Sequence, residues 1–218
     1  MKTDGQLQHD VMDELEWDPS VDHADIGVAV NEGVVTLSGY VSNYVEKMAA
    51  EKAARRVSGV KAIAEEIQVR FKSEPKTADH EIAKRILDMF SWNVSIPHDK
   101  INVKVEKGWV TLSGVVDAYY QSDEARRAAG RISGVTGVSN LIEVKKLPVS
   151  ADIRERIAAA FKRQADLDAA GVTIATVGNT VRLGGRVKAW HERGVAERAA
   201  WAAPGVTKVE DNIVVSTF

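Results

Sequence analysis

Hydrophobic residues recur along the chain with two periods, and the order of these periods repeats three times. Three stretches have apolar residues four positions apart, which is typical of one face of a helix: Leu7/Val11/Leu15, Ile82/Ile86/Phe90 and Ile153/Ile157/Phe161. Each is followed by alternating apolar residues, which indicate a strand with one buried face: Ile26–Val30, Ile101–Val105 and Val172–Thr176. The patterning therefore predicts helix and then strand in three successive segments.

A short motif after each predicted strand shows that these segments are copies of one unit. Gly33–Gly39, with sequence GVVTLSG, returns as Gly108–Gly114, with sequence GWVTLSG. A looser third copy is Gly178–Gly185, in which Leu183 takes the place of Leu112. Other features recur at the same fixed offsets, which is the signature of tandem duplication. In the third copy we expect an extra residue in the hairpin.

Each unit is predicted to fold as α-β-β-α-β. The repeated glycine suits a hairpin turn, and the run after it supplies a second strand. Second helices are predicted at Val45–Val57, Gln121–Ile132 and His191–Ala203, and third strands at 63–69, 138–144 and 209–215. The fold class is therefore α+β, with three small domains, each a three-stranded mixed sheet covered by two helices.

The expected domains are residues 1–72, 76–147 and 149–218, the third being divergent. Proline and polar residues interrupt the periodicity at Ser73–Pro75 and at Leu147-Pro148. A unit of about 70 residues buries only about 60% of its unfolded surface, so it is marginal alone. We therefore expect the copies to pack on one another, or the chain to self-associate.

The order of motifs resembles the BON domain, named for bacterial osmotically inducible and nodulation proteins. The resemblance rests on Ile26–Val30 and Gly33–Gly39 in the first copy, and on Ile101–Val105, Gly108–Gly114 and Asn140-Leu141-Ile142 in the second. The third copy departs from the pattern, since Ser113-Gly114 is replaced by Gly184-Gly185. A ligand role in that copy is therefore less expected.

The resemblance implies a non-catalytic module that binds phospholipid or another hydrophobic partner at a membrane surface, in bacterial stress or envelope physiology. Similarity to cytoplasmic relatives implies an alternative, a cytosolic protein that senses a cation such as potassium or serves as an interaction scaffold. Backbone carbonyls of the glycine-rich turns are hard ligands suited to a cation of this kind. A fold does not by itself choose between these functions.

Composition narrows the possible partners and compartments. The chain has no cysteine, which excludes disulfides, thiolate nucleophiles and cysteine-ligated metals. The net charge of −2 and a pI near 6.2 argue against nucleic acid as a partner. The polar N-terminus lacks the apolar run of a secretory leader, so we expect a cytoplasmic protein, or a periplasmic one if a leader has been removed.

No pattern in the sequence indicates catalysis, a metal site or a cofactor. Phosphate-binding, dinucleotide-binding and nucleophile-elbow motifs do not occur, and the five histidines lack the helical spacing of metal ligands. We interpret Ser38-Gly39 and Ser113-Gly114 as small residues required where the second strand leaves the sheet. The prediction is that the protein is not an enzyme.

The candidate contact site is an aromatic position shared by the three copies, with arginines on the helix that it begins. Its aromatic members are Tyr44, Tyr119 and Trp190, and its basic members are Arg55, Arg126 and Arg127. Tyr and Trp favour membrane interfaces, and basic residues attract anionic headgroups. The alternative is that each aromatic is a packing contact that fixes the angle of the helix, and that the arginines lie on a solvated face.

Four tryptophans are predicted to have packing roles. Trp17 and Trp92 occupy equivalent positions after the first helix of their copies, so we expect core or inter-domain contacts for them. Trp109 is expected to face a neighbouring copy, and Trp201 to anchor a domain or dimer contact.

The net charge also differs between segments, being −5 over residues 1–72, +1 over 73–147 and +2 over 148–218.

Overall fold

The computed structural model describes residues 2–71, 78–148, 152–164 and 169–215. The first copy contains α1 (Asp4–Trp17), β1 (Ile26–Asn31), β2 (Val34–Val41), α2 (Tyr44–Arg56) and β3 (Ala62–Val69). The second contains α3 (Asp79–Trp92), β4 (Ile101–Glu106), β5 (Trp109–Val116), α4 (Tyr119–Gly130) and β6 (Gly137–Val144). The third contains α5 (Ile153–Lys162), β7 (Val172–Val177), β8 (Thr180–Val187), α6 (Trp190–Trp201), β9 (Lys208–Asp211) and β10 (Val214–Val215). The α-β-β-α-β order is confirmed in all three.

Each copy forms its own sheet with the hairpin's second strand in the middle. The strand orders are β1-β2-β3 and β4-β5-β6 in the first two copies, and β8 is central in the third. In the second copy β4 pairs antiparallel with β5, and β6 pairs parallel with β5 after the helical crossover. The predicted mixed sheets are confirmed.

The third strand of the last copy differs from the single strand that the sequence predicts. It is divided into β9 and β10, both parallel to β8. At the break the Asp211 carboxylate accepts from the Ile213 N–H at 2.9 Å, and the Asn212 N–H donates to the Leu183 carbonyl at 2.8 Å. In the second copy the equivalent Asn140 accepts from the Ile142 N–H at 3.3 Å while the strand stays continuous, so this bond does not by itself account for the break.

The hairpin turns have two residues in every copy, so the expected extra residue in the third hairpin is wrong. In the first two copies both turn residues have positive φ, at Glu32 (51°) and Gly33 (81°) and at Lys107 (51°) and Gly108 (76°). Turns of this kind match the twist of the flanking strands. The third hairpin instead has Gly178, with φ of 55°, at the first turn position.

A helix aspartate fixes each of the first two turns. The Asp79 carboxylate accepts from the N–H groups of Lys107 at 2.8 Å and Gly108 at 2.9 Å. Asp4 does the same for Glu32 at 2.8 Å and Gly33 at 3.1 Å. These bonds satisfy turn donors that the hairpin itself leaves unpaired.

The predicted helical stripes form the cores of the copies. The residues of all three stripes are buried, at Leu7/Val11/Leu15, Ile82/Ile86/Phe90 and Ile153/Ile157/Phe161. They pack against the inward residues of the central strands, such as Leu112 in the second copy and Leu183 in the third. Burying such side chains contributes about 1.5–3 kcal/mol each and holds the helices on one face of the sheet.

The chain contains two compact units that do not follow the copies one to one. One unit combines Met1–Gly39, Ala49–Glu66 and Lys146–Phe218, which are most of the first copy together with the third. The other combines Tyr40–Met48 with Ile67–Lys145, which places the start of α2 with the second copy. The predicted boundary between residues 72 and 76 lies outside the described residues.

Candidate functional site

The aromatic position predicted as a contact site begins the second helix of every copy. Tyr44, Tyr119 and Trp190 are the first residues of α2, α4 and α6, and each side chain is half-buried. An acidic or amide residue two positions further accepts backbone N–H groups ahead of the helix. In α6, Glu192 accepts from Lys188 at 3.1 Å and from Ala189 at 3.0 Å. This cap fixes where the helix starts and therefore where the aromatic lies.

Tyr44 packs on the second copy, within the unit that contains both. Its ring joins the hydrophobic core that is built around Phe90 and Leu112. The ring lies over Gly130, where a methyl group added to the glycine would be 3.1 Å from two ring carbons. Tyr44 is therefore covered by residues of the second copy.

Trp190 contacts the first copy, within the unit that contains the first and third copies. The Arg55 guanidinium lies 5.7 Å from the ring centroid, and that of Arg193 lies 5.3 Å from it. Attraction of a guanidinium to an aromatic face is worth about 0.5–1 kcal/mol at an exposed site. Arg55 also pairs with Glu51 one turn away. Two of the six predicted site residues, Arg55 and Trp190, are thus brought together.

The other two predicted arginines bind within their own helix. Arg126 and Arg127 both pair with Asp123, at 2.9 and 2.6 Å. Pairs of this spacing on a helix surface contribute only about 0.3–0.5 kcal/mol. They nevertheless reduce the charge that the two arginines offer to an anionic surface.

Trp17 and Trp92 are exposed, so the expectation that they pack in a core or between domains is wrong. Their exposed fractions are 83% and 87%. Each is the last residue of a first helix and follows the last core residue, Leu15 or Phe90, by two positions. Two positions turn a helix by about 200°, which points the side chain away from the core. The spacing of the stripe was the signal that could have located these residues on the outer face.

The two exposed tryptophans have different charged surroundings. Helix α1 has five acidic residues and no lysine or arginine, whereas α3 has three acidic residues, Lys84 and Arg85. Arg85 precedes Trp92 by two helical turns and lies on the same face. The equivalent of Arg85 in the first copy is Asp10, which pairs with Lys2 at 2.6 Å. The second copy therefore offers a tryptophan with less negative charge around it.

The remaining tryptophans have local partners. Trp109 lies half-exposed on the outer face of its own sheet, with its ring against Gly137 and its Nε1–H donating to the Ser139 hydroxyl at 2.9 Å. The Trp109 ring is thus positioned by residues of its own copy and not by the expected contact with another copy. Trp201 packs against the core of the third copy.

The glycines of the Ser-Gly motifs have a steric reason. A Cβ on Gly39 would lie 2.0 Å from the Asp25 carbonyl oxygen, and one on Gly114 would lie 2.0 Å from that of Lys100. Both glycines also have positive φ, at 110° and 136°. Only glycine combines this conformation with so close a backbone approach.

The described part of the chain lacks two features that would point to other functions. Within residues 2–71, 78–148, 152–164 and 169–215, no cluster of three His, Asp or Glu side chains could hold a metal ion. Within the same ranges, no helix is long and apolar enough to cross a membrane.

Comparison with known proteins gives one family match for each of the three copies. The sequence profile of the BON domain matches residues 3–70, 78–146 and 150–217. The chain is 32% identical to Osmotically-inducible protein Y of Escherichia coli (strain K12) over 139 residues, which cover 57% of this chain and 67% of that protein.

Two solved structures of CdsD, a structural protein of the type III secretion system of Chlamydia trachomatis, also align with the chain. The first has 15% identity and a TM-score of 0.28, and covers 96% of this chain and 92% of that one. The second, the C-terminal domain, has 16% identity and a TM-score of 0.27, and covers 96% and 97%. TM-scores this low carry no conclusion about fold or function.

Proposed function

Since the chain belongs to the BON domain family, with three copies of the domain, we propose that it is a non-catalytic protein that associates with phospholipid at a membrane surface under osmotic stress. The name of its E. coli relative, Osmotically-inducible protein Y, supports the connection with osmotic stress. The observation that carries the membrane proposal is the repeat-equivalent pair of exposed tryptophans, Trp17 and Trp92.

Tryptophan at the end of a helix suits a bilayer surface for a physical reason. Its large ring is apolar while its N–H needs a polar partner, and both are satisfied at the level of the lipid headgroups. In the second copy Val94 is also fully exposed, shortly after Trp92. Exposed apolar surface of this kind is unfavourable in water, and moving it into a bilayer lowers the free energy.

Charge favours the second copy as the main contact with anionic lipid. Lys84 and Arg85 lie on α3, and basic residues near an anionic surface contribute about 1 kcal/mol each. Around Trp17 the five acidic residues of α1 oppose the same surface, although Arg56 pairs with Glu14 and Lys2 pairs with Asp10. We therefore propose that Trp92 inserts into anionic bilayers and that Trp17 contributes less.

Flotation of the purified chain with liposomes tests this proposal. Anionic and zwitterionic vesicles are compared at low and at physiological salt, with wild type, Trp92→Ala, Trp17→Ala and Tyr120→Ala. Tyr120 is the matched control because it is an exposed aromatic on a different helix. We expect Trp92→Ala to weaken binding about tenfold, equivalent to about 1.4 kcal/mol, with a smaller loss for Trp17→Ala and none for Tyr120→Ala. No flotation of the wild type under any condition would refute the proposal.

A further inference from the structure

The first residue of the second helix contacts a different copy of the domain in the first and third copies. Tyr44 of the first copy lies on Gly130 of the second. Trp190 of the third copy lies against Arg55 of the first. Neither Gly130 nor Arg55 is in the copy of its aromatic partner, so both contacts join copies, while Trp190 also has Arg193 of its own copy at 5.3 Å.

The two partners occupy the same position in their own copies. Gly130 takes the place in the second copy that Arg55 takes in the first, and both lie in the last turn of a second helix. The two aromatic residues are likewise equivalent, being the first residues of α2 and α6. In both contacts, therefore, the first residue of one second helix meets the same position in the last turn of another second helix.

Gly130 and Arg55 contact their aromatic partners by different interactions. Gly130 is buried and has no side chain, which leaves room for the Tyr44 ring directly over the helix backbone. Arg55 has a guanidinium that is attracted to the face of the Trp190 ring. The pairs Tyr44·Gly130 and Trp190·Arg55 are thus two different contacts at the same position of the repeat.

We infer that the aromatic residue at the start of the second helix is a docking residue in the first and third copies, whose partner is the C-terminal end of the second helix of another copy of the BON domain. The inference does not depend on the membrane proposal. It assigns Tyr44, Trp190 and Arg55 to contacts between copies, and leaves the tryptophans of the first helices, Trp17 and Trp92, as the most exposed aromatic residues.

Cysteine cross-linking of the full chain tests the inference, since the native sequence has no cysteine. One variant combines Tyr44→Cys with Gly130→Cys, and another combines Arg55→Cys with Trp190→Cys. Each has a control in which the cysteine on the aromatic helix is moved to the next residue, as Val45→Cys or His191→Cys. Both control residues are exposed. A shift of one position rotates the side chain about 100° around the helix, away from the contact with the other copy.

With a short bismaleimide at low protein concentration, we expect each docking pair to give at least a fivefold higher yield of cross-linked monomer than its control. Equal yields for pair and control, or linkage only between separate chains, would overturn the inference.

A second experiment avoids cysteine and protects the test against a misfolded variant. Arg55→Gly combined with Trp190→Tyr recreates the Tyr·Gly pair at the other junction. We expect this variant to melt at a higher temperature than Arg55→Gly combined with Trp190→Ala, which lacks only the aromatic ring. Equal melting temperatures would show that the aromatic residue does not dock there, and would overturn the inference.

Discussion

The start of the second helix and the end of the first helix both have aromatic residues, but contact with another copy is seen only at the start of the second helix, in two of the three copies. Tyr44 and Trp190 each contact another copy, whereas Trp17 and Trp92 are more than four-fifths exposed. The comparison teaches that repetition alone does not identify a binding residue, because packing within the chain also preserves an aromatic position.

The largest expected effect is at the covered position. Tyr44→Ala removes a ring that lies on Gly130, and we expect the free energy of unfolding to fall by about 2 kcal/mol, since the ring is only half-buried. Urea unfolding followed by circular dichroism measures the loss. Tyr44→Phe is the control and keeps most of the stability. An unchanged midpoint for Tyr44→Ala would show that the contact does not stabilise the fold.

At the exposed position the same kind of truncation is expected to leave stability unchanged. Trp92→Ala removes no buried contact, so the free energy of unfolding changes by no more than about 0.5 kcal/mol. Its effect is expected instead in vesicle binding, as a loss of about tenfold. Parallel denaturation and flotation on one preparation separate the two readouts. A large loss of stability would remove the contrast between the two regions.

The acidic end of α1 gives a pH test of how that region is held. The Asp18 carboxylate accepts from the hydroxyl of Ser20, from Arg56 and from the Ser20 N–H, and these bonds lower its pKa from 3.8 to about 2. A depressed pKa adds stability that is fully present above the unfolded-state pKa and is lost as the pH falls toward the folded-state value.

Replacing Asp18 by Asn tests this contribution directly. We expect the free energy of unfolding of wild type to exceed that of Asp18→Asn by about 1 kcal/mol at pH 6, after allowance for solvent screening, and most of this difference to be lost by pH 2. Urea midpoints between pH 2 and 6 measure it. A difference that does not change with pH would contradict the assigned cause.

The smallest expected effect is the coupling between Arg55 and Trp190. A double-mutant cycle with Arg55→Ala and Trp190→Ala should give a coupling free energy of about 0.5–1 kcal/mol, as expected for a cation–π contact. The matched cycle of Arg193→Ala with Trp190→Ala measures the contact within the third copy. Additive losses for Arg55 and Trp190 would indicate that the two side chains do not interact.

The architecture could be predicted from the sequence because each copy has strong local signals. The spacing of Ile82, Ile86 and Phe90 located both the first helix and its buried face. The repeated glycines located the hairpins, and the structure gives these glycines positive φ. The fixed offsets between copies extended the predictions from one copy to the next. The division of the last strand was not predicted: Asn140 and Asp211 bind the backbone N–H two residues on in the same way, yet only the strand that contains Asp211 is divided.

The sequence by itself determined three α-β-β-α-β copies, their cores and the family to which the chain belongs, because periodicity, turn residues and repeats are local properties. It also located the aromatic residues on their helices. Only the tertiary structure decided which of them are covered, since the exposure of a side chain depends on residues far away in the chain. Gly130 and Tyr44 belong to different copies, as do Trp190 and Arg55, so no local pattern could connect them.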